Sequence, residues 1–189
     1  IHPKKQGVVN QRQLARDTLS YENALRAALR EDPDVIVIGE MRSLDTISMA
    51  ISAAETGHLV IGTMATFSAP KTIDRIIDAY PPNEQNQIRA MLGESFRAVI
   101  TQRLIPAADE KSMALASEIL IGTVPMSKLI RDGKTFQIPS MMQTGKSVGM
   151  QIMDECILSL LQEGKITAQS AQKYANDPKI FDKFVKKGT

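Results

Sequence analysis

A glycine and a carboxylate follow a short apolar run in residues 35–42, which read VIVIGEMR. An uninterrupted β-branched run of this kind is typical of a strand buried on both faces, as in a parallel sheet covered by helices. Gly39 is expected to allow a tight turn at the end of that strand, which leaves Glu40 at the carboxyl edge of the sheet. A carboxylate at that edge can orient or deprotonate a water, or lie near a metal. The alternative is a buried strand followed by a solvated glutamate.

A second apolar segment, residues 59–63, is followed by hydroxyl groups. Thr63, Thr66 and Ser68 lie at or just beyond its carboxyl end. If the two strands are parallel, Thr63 and Glu40 occupy the same edge of the sheet. These hydroxyls are then candidates for contact with a phosphate, although ordinary turn hydroxyls are common.

Histidine and arginine side chains supply candidate cations. His58 comes directly before the second strand and can donate a hydrogen bond near a ligand. Its spacing favours the simpler interpretation, a histidine at the carboxyl end of a helix. Arg16, Arg30 and Arg42 flank the Glu40 strand, and a cation beside a shared ligand can stabilise charge during phosphoryl transfer. Solvated surface charge is the alternative for most of them.

A glycine-rich phosphate loop of the form GxxxxGK[ST] does not occur in the chain. Residues 145–147 read GKS, but the position that the motif requires for its first glycine is Ser140. No apolar strand precedes this segment either. We therefore exclude it as a nucleotide cradle.

The composition argues against several classes of function. The 189 residues carry a net charge of +2 and 4% aromatic residues, without tryptophan, which speaks against a nucleic-acid-binding surface. The single cysteine, Cys156, excludes an intramolecular disulfide and a thiolate-rich metal site, and it indicates a reducing compartment. No apolar run approaches the roughly 20 residues of a membrane span. We expect a cytoplasmic protein and assign no metal site.

Hydrophobic periodicity predicts an α/β order to residue 122 and a mostly helical region over 123–189. Strands are predicted at 8–10, 35–39, 59–63 and 113–121. Helices are predicted at 21–31, 44–56, 70–80, 84–104, 125–132, 149–163, 167–176 and 178–186. Ser20, Ser43 and Thr167 are expected to cap the helices that follow them. This order indicates a parallel or mixed sheet with a helical appendage.

These segments together resemble the secretion ATPase superfamily, and within it the type IV pilus retraction ATPases. The matching segments are LRAALREDPD at 25–34, GEMR at 39–42, AAETGHLV at 53–60, KTIDR at 71–75, SKLIRD at 127–132 and GMQ at 149–151. Their order and spacing agree from about residue 8 to residue 165, which is far more specific than a single motif. The zinc-binding cysteine module of many assembly and type II secretion relatives is missing here, which favours the retraction branch.

The resemblance implies a fold and a set of partners. The expected fold is a partial RecA-like P-loop ATPase core with a helical carboxyl-terminal appendage. Relatives of this kind form a homo-hexameric ring that binds ATP and Mg²⁺ between subunits and acts in the cytoplasm at the inner-membrane base of the pilus. The implied partners are an inner-membrane pilus platform protein and a paralogous pilus motor, with no nucleic acid.

The resemblance also assigns roles to residues. Residues 35–40 match the Walker B segment, in which Glu40 is the catalytic glutamate that polarises the attacking water. His58 matches the first histidine of the His box. Leu129, Ile130 and Arg131 match a motif associated with retraction rather than hydrolysis. The other nucleotide-site or interface candidates are Gly39, Arg42, Thr63, Arg30 and Arg16.

Two departures from the family pattern leave an alternative open. The Walker A loop, the Asp box and a PAS-like domain are not within these residues, and the start IHPKK lacks an initiator methionine, so we expect a fragment that does not bind ATP usefully by itself. In addition, Ala65 stands where the family has a second His-box histidine, and alanine offers no donor, acceptor or charge. The alternative is therefore a degenerate, non-catalytic ring subunit or regulator. A DNA-processing relative is disfavoured by the balanced charge.

Overall fold

The computed structural model describes residues 6–186, so the prediction about the first residues lies outside the described part of the chain. The chain divides into two compact units, Ile1–Met64 and Ala65–Thr189, which are described separately below. The predicted domain boundary between residues 122 and 123 stays a prediction. None of the helices within residues 6–186 has the length and apolar character needed to cross a bilayer.

The first unit is a two-stranded parallel sheet packed against two helices. Its elements are α1 (Tyr21–Ala28), β1 (Val35–Ile38), α2 (Leu44–Glu55) and β2 (Leu59–Gly62). Val35 lies opposite Leu59 and Ile38 lies opposite Gly62, so the two strands run in the same direction and end together. Helix α2 supplies the crossover that parallel neighbours need.

The two helices of this unit begin where the sequence predicts. The Ser20 hydroxyl accepts a hydrogen bond from the Asn23 amide, and the Ser43 hydroxyl accepts one from the Thr46 amide. Each serine thus satisfies an amide that the first turn of its helix leaves without an internal partner. Helix α1 ends at Ala28, earlier than predicted, before the turn that leads into β1.

The apolar strand β1 is buried on one face only, which corrects the prediction of a strand buried on both. Ile36 and Ile38 pack with residues of α1 and α2, including Leu25. Val35 and Val37 on the other face are 48% and 64% exposed. Successive side chains of a strand point to opposite faces, so helices on one side bury only alternate residues.

The second unit combines an antiparallel hairpin with seven helices of four or more residues. Its elements are α3 (Ala69–Asp78), α4 (Gln85–Ser95), β3 (Ala98–Pro106), β4 (Met113–Ile121), α5 (Val124–Arg131), α6 (Ile138–Thr144), α7 (Met153–Gln162), α8 (Ala168–Tyr174) and α9 (Asp182–Val185). Short 3-10 turns occur at Thr135–Gln137, Gly145–Val148 and Pro178–Phe181. Thr167 caps α8 as predicted, because its hydroxyl accepts a hydrogen bond from the Ser170 amide.

The predicted helix over 84–104 is wrong beyond Ser95. Residues 98–106 form β3, which pairs along its whole length with β4, Ala98 opposite Ile121 and Pro106 opposite Met113. The apolar residues of this segment fit a helical spacing, but Val99 and Ile100 are β-branched and favour a strand. The hydrogen bonds of a strand 15 residues away decide between the two.

Three further predictions differ from the structure. The predicted strand at 8–10 is absent, since the described residues there form neither strand nor bridge. Helix α6 occupies part of the segment between 132 and 149 that the periodicity left without an element. The predicted helix over 178–186 is a 3-10 turn followed by the single turn α9, because Pro178 and the short apolar spacing do not support a longer helix.

The carboxyl-terminal helices pack on the hairpin of their own unit. The Phe181 side chain is fully buried in a cluster with Ile105 of β3, Ala116 of β4 and Ile157 of α7. Arg103 of β3 adds polar contacts, since its guanidinium donates to the backbone carbonyl of Tyr174 and to Asn176. Residues 165–186 are therefore part of the second unit's core rather than a loose tail.

Candidate functional site

The carboxyl edge of the β1–β2 sheet brings Glu40 and Thr63 together, as the sequence predicts for parallel strands. Glu40 comes two residues after β1 and Thr63 directly after β2, and the last residues of the two strands are paired. The Met41 amide donates a hydrogen bond to the Thr63 carbonyl oxygen at 2.9 Å. The Thr63 hydroxyl donates to the Gly39 carbonyl oxygen. Two cross-strand hydrogen bonds therefore hold the residues on either side of Glu40.

Glu40 forms an ion pair with Arg42 two residues later. The Arg42 Nε donates to Glu40 Oε1, and the side chains of Arg42 and Glu40 are 79% and 34% exposed. The hydrogen bond to Glu40, and then its charge, raise the pKa of the Arg42 guanidinium above its ordinary value. An ion pair as exposed as this contributes little to stability. Its consequence is local: it fixes which way the carboxylate faces.

Gly39 has a different role from the one predicted. Its φ is not in the left-handed region, so the backbone does not require glycine there, and the prediction of a glycine-dependent tight turn is wrong. A Cβ added at Gly39 would meet nothing within 4 Å. The absence of a side chain leaves open space beside Glu40, and glycine is favoured where another molecule approaches the backbone closely.

Met41 is a contact that the sequence reasoning did not single out. A Cβ added at Gly62 would lie 2.6 Å from the Met41 sulfur, so the Met41 side chain lies over the end of β2. The signal was present in the sequence as a glycine at the end of a strand, which often marks a close approach.

His58 lies at the opposite edge of the β1–β2 sheet from Glu40. It precedes Leu59, the first residue of β2, whereas Glu40 follows the last residue of β1. Its Nδ1 is 3.0 Å from the Ala53 carbonyl oxygen and 3.1 Å from the Thr56 hydroxyl, at the carboxyl end of α2. The structure thus places His58 against a helix end, where an imidazole N–H is a favourable partner for a free carbonyl.

The candidate arginines are mostly engaged in ion pairs within the first unit. Arg16 pairs with the adjacent Asp17 at 3.0 Å, and this contact lowers the pKa of the aspartate below its usual range. Within residues 6–186 Arg30 makes no ion pair, and it is exposed before the amino end of β1. Neither is brought to Glu40 by a contact in the structure.

The retraction motif lies on α5. Ile130 is fully buried and Leu129 is half-buried, whereas Arg131 is exposed. Helix α5 packs closely on α4, where a Cβ added at Gly93 would lie 3.0 Å from the Ser127 carbonyl oxygen. Ile130 therefore contributes to the core, and Arg131 is the member available to another molecule.

The residues present do not form a complete nucleotide site. Residues 145–148 form a 3-10 turn that follows α6 rather than a strand, and Lys146 pairs with Glu155 at 2.8 Å. This geometry agrees with the exclusion of that segment as a phosphate cradle, because such a cradle follows a strand and opens a helix. Glu40 has a suitable position for activating water, but no lysine of a phosphate loop lies beside it.

Comparison with known proteins shows the relationship. A profile of the family described as type II/IV secretion system protein matches residues 4–172. The chain is 49% identical over 181 residues to the type IV pilus retractation ATPase PilT of Pseudomonas aeruginosa, which covers 96% of this chain and 52% of that relative. It is 48% identical over 177 residues to the twitching motility protein of Neisseria gonorrhoeae, with coverages of 94% and 47%. The chain thus spans about half the length of the curated relatives it matches.

A solved structure supports the same relationship. The fold matches that of the pilus retraction motor PilT with bound ADP at a TM-score of 0.86 and 44% identity, over 95% of this chain and 50% of that one. The similarity to type IV pilus retraction ATPases predicted from the motifs is thereby confirmed. The predicted fold class is confirmed as well: a partial α/β ATPase core of RecA-like type, followed by helices.

Proposed function

The chain belongs to the family of type II/IV secretion system proteins, and we propose that it is part of an ATP-hydrolysing motor that retracts type IV pili and drives twitching motility. Relatives that carry these names align over nearly the whole chain at close to half identity. Because the chain spans about half of their length, the activity is proposed for the complete protein.

The position of Glu40 is the observation that carries this proposal. Its carboxylate follows a parallel strand at the edge where open α/β folds bind their ligands. The hydrogen bonds of Met41 and Thr63 hold the backbone on both sides of it. A carboxylate fixed in this way can accept a hydrogen bond from a water and orient it for attack on a terminal phosphate. We assign this role to Glu40.

ATP and Mg²⁺ are proposed as ligands of the complete protein. The residues that hold the β- and γ-phosphates are expected in the part of the relatives' length that this chain does not span. Gly39, beside Glu40, offers open space for such a neighbour to approach. Arg42 and Thr63 are proposed to orient the Glu40 segment, and Arg16, Arg30 and His58 remain candidates for subunit contacts rather than for chemistry.

The proposed assembly is a homo-hexamer at the cytoplasmic base of the pilus. Its proposed partners are an inner-membrane platform protein and a paralogous pilus motor, without nucleic acid. Arg131 is exposed on α5 and is therefore the residue of the retraction motif proposed to contact another protein. Leu129 and Ile130 support it from the half-buried and buried sides of the helix.

The test replaces Glu40 by glutamine in the complete protein. Glu40→Gln keeps the size and the acceptor oxygen but removes the charge that orients and polarises water, so we expect hydrolysis to fall by about 10²–10⁴-fold. Ring assembly and nucleotide binding are expected to persist, measured by size-exclusion chromatography and by fluorescent-nucleotide titration.

Glu22→Gln is the matched control. Glu22 forms an exposed ion pair with Arg26, at 2.7 Å, on a helix of the same unit. Loss of that pair should leave hydrolysis unchanged. Wild-type turnover in Glu40→Gln would remove the assignment of Glu40. A wild-type protein that binds nucleotide without hydrolysing it would instead support a non-catalytic ring subunit, a function that the names of the relatives do not favour.

A further inference from the structure

A buried carboxylate outside the site described above caps a helix in the second unit. Glu118 lies on β4 and is only 5% exposed. Its Oε1 accepts a hydrogen bond from the Ala69 amide at 2.7 Å, at the start of α3. No lysine, arginine or histidine within residues 6–186 forms an ion pair with it.

Burial of this charge needs a compensating interaction. An ionised carboxylate removed from water without a partner is costly, and such groups are normally paired with a cation. At Glu118 the partner is the amino terminus of α3, where free amides and the helix dipole attract negative charge. Glu118 therefore depends on α3 as much as α3 depends on Glu118.

Helix α3 has no side-chain cap of its own. Ser68 is its N-cap residue, but the Ser68 side chain makes no capping hydrogen bond. Pro70 follows without an amide hydrogen, so the Ala69 amide is the group at this end that most needs an acceptor. A residue 49 positions later in the chain supplies it.

The same contact fixes the segment that leads into α3. The Thr66 and Thr72 hydroxyls are 2.7 Å apart, and the Thr72 hydroxyl donates to the Ser68 carbonyl oxygen at 2.9 Å. Residues 66–72 thus form a hydrogen-bonded unit whose single tie to the hairpin among the side-chain hydrogen bonds of the described chain is Glu118. This segment begins three residues after Thr63 in the sequence.

We propose that Glu118 is a positioning residue for ATP hydrolysis: its carboxylate holds the amino terminus of α3, and with it residues 66–68, in the conformation that hydrolysis requires. This role rests on the proposed function. Glu118 touches no reacting atom and acts through the backbone of Ala69. Removal of the acceptor should therefore reduce kcat more than it weakens nucleotide binding.

The experiment measures ATPase kcat and KM in the complete protein, together with hydrogen exchange of residues 66–72. In Glu118→Ala the Ala69 amide loses its acceptor, so exchange should accelerate and kcat should fall about tenfold or more, since small displacements near a site are costly. Glu118→Gln keeps an oxygen acceptor and should retain most of both. Glu110→Gln removes an exposed carboxylate of the same unit and should change neither.

A second-site variant separates capping from other roles. Ser68 and Glu118 line the same cleft of about 530 Å³, so an aspartate at Ser68 has room to act as a local N-cap. Ser68→Asp in the Glu118→Ala background should restore slow exchange and most of kcat. Restored exchange without restored kcat would overturn the positioning role, as would a normal kcat in Glu118→Ala.

The remaining outcomes are also decisive. If Glu118→Ala does not fold, Glu118→Gln carries the test: a folded Glu118→Gln protein with a tenfold loss of kcat would show that the charge, not the acceptor, matters, and would overturn the proposal. A wild-type protein without ATPase activity would overturn the proposed function and the link to hydrolysis. Exchange of residues 66–72 in the same variants would then still show whether Glu118 anchors α3.

Discussion

The hydroxyl of Thr63 donates a hydrogen bond to the carbonyl oxygen of Gly39, across the edge where strands β1 and β2 end together. With the bond from the Met41 amide to the Thr63 carbonyl, it closes a clasp around Glu40. Thr63 therefore contributes to the candidate site through the backbone of its neighbour. A phosphate contact by the same hydroxyl would require this bond to break.

Replacement of Thr63 by valine should impair hydrolysis rather than nucleotide binding. Thr63→Val has nearly the same shape but cannot donate to Gly39, and loss of one hydrogen bond costs about 0.5–1.5 kcal/mol. We expect a several-fold fall in kcat with an unchanged nucleotide Kd, from steady-state kinetics and titration of the complete protein. Thr63→Ser keeps the hydroxyl and is the control. A weaker Kd with normal kcat in Thr63→Val would indicate phosphate contact instead.

The elements that the sequence predicts correctly depend on local signals. Ser20 and Ser43 begin their helices through hydrogen bonds three residues away, and such caps are visible in the sequence. Strand β3 was missed because its stability comes from pairing with β4, a contact that periodicity in one segment does not contain. Helical spacing continued from α4 into β3 and gave the wrong element.

The candidate site shows the same division. Parallel strands suffice to place Glu40 and Thr63 on one edge, and the structure agrees. The same rule places His58, which precedes β2, on the other edge, so its separation from Glu40 was already implicit in the strand order. The hydroxyl bond of Thr63 and the capping contact of Glu118 depend on which side chains meet in three dimensions, and neither has a sequence signature.

Gly39 should tolerate alanine in folding but not in function. Its φ lies outside the left-handed region and a Cβ there meets nothing within 4 Å, so Gly39→Ala should leave the melting temperature nearly unchanged. If a ligand or neighbouring subunit approaches this backbone, the added methyl group should lower kcat/KM. Melting curves and ATPase assays of the complete protein measure both.

Gly122→Ala provides the contrast to Gly39→Ala. A Cβ at Gly122 would lie 2.5 Å from the Phe96 carbonyl oxygen, which is backbone and cannot rotate away. That variant should be destabilised by about 1–3 kcal/mol, as overpacked sites usually are. Equal melting temperatures for the two variants would contradict the steric argument.

Phe181 should be essential to the stability of the second unit. Its side chain is fully buried against Ile105, Met153 and Ile157, so Phe181→Ala creates a cavity and should cost about 3–5 kcal/mol. The adjacent Ile180 is 41% exposed, and Ile180→Ala is the control with a much smaller expected effect. Denaturant unfolding measures both, and similar midpoints would show that the carboxyl-terminal helices do not stabilise the hairpin.

Asp109 should make the stability of the β3–β4 turn depend on pH. The Lys111 and Ser112 amides and the Ser112 hydroxyl donate to its carboxylate, and these bonds lower the pKa of Asp109 below its usual range. A lowered folded-state pKa stabilises the protein above the unfolded-state pKa of about 3.9. That contribution is lost as the pH falls through the folded-state pKa.

Asp109→Asn keeps an acceptor oxygen but removes the charge, so it should melt below the wild type at pH 6–7. The difference should shrink as the pH falls from about 5 toward 3, because the wild-type carboxylate becomes neutral over that range. Glu110→Gln removes the neighbouring carboxylate, whose side chain makes none of these bonds, and subtracts the effect of net charge. A difference between Asp109→Asn and wild type that is constant with pH would mean that the turn is held by acceptor geometry alone, since only the charged form of Asp109 titrates in this window.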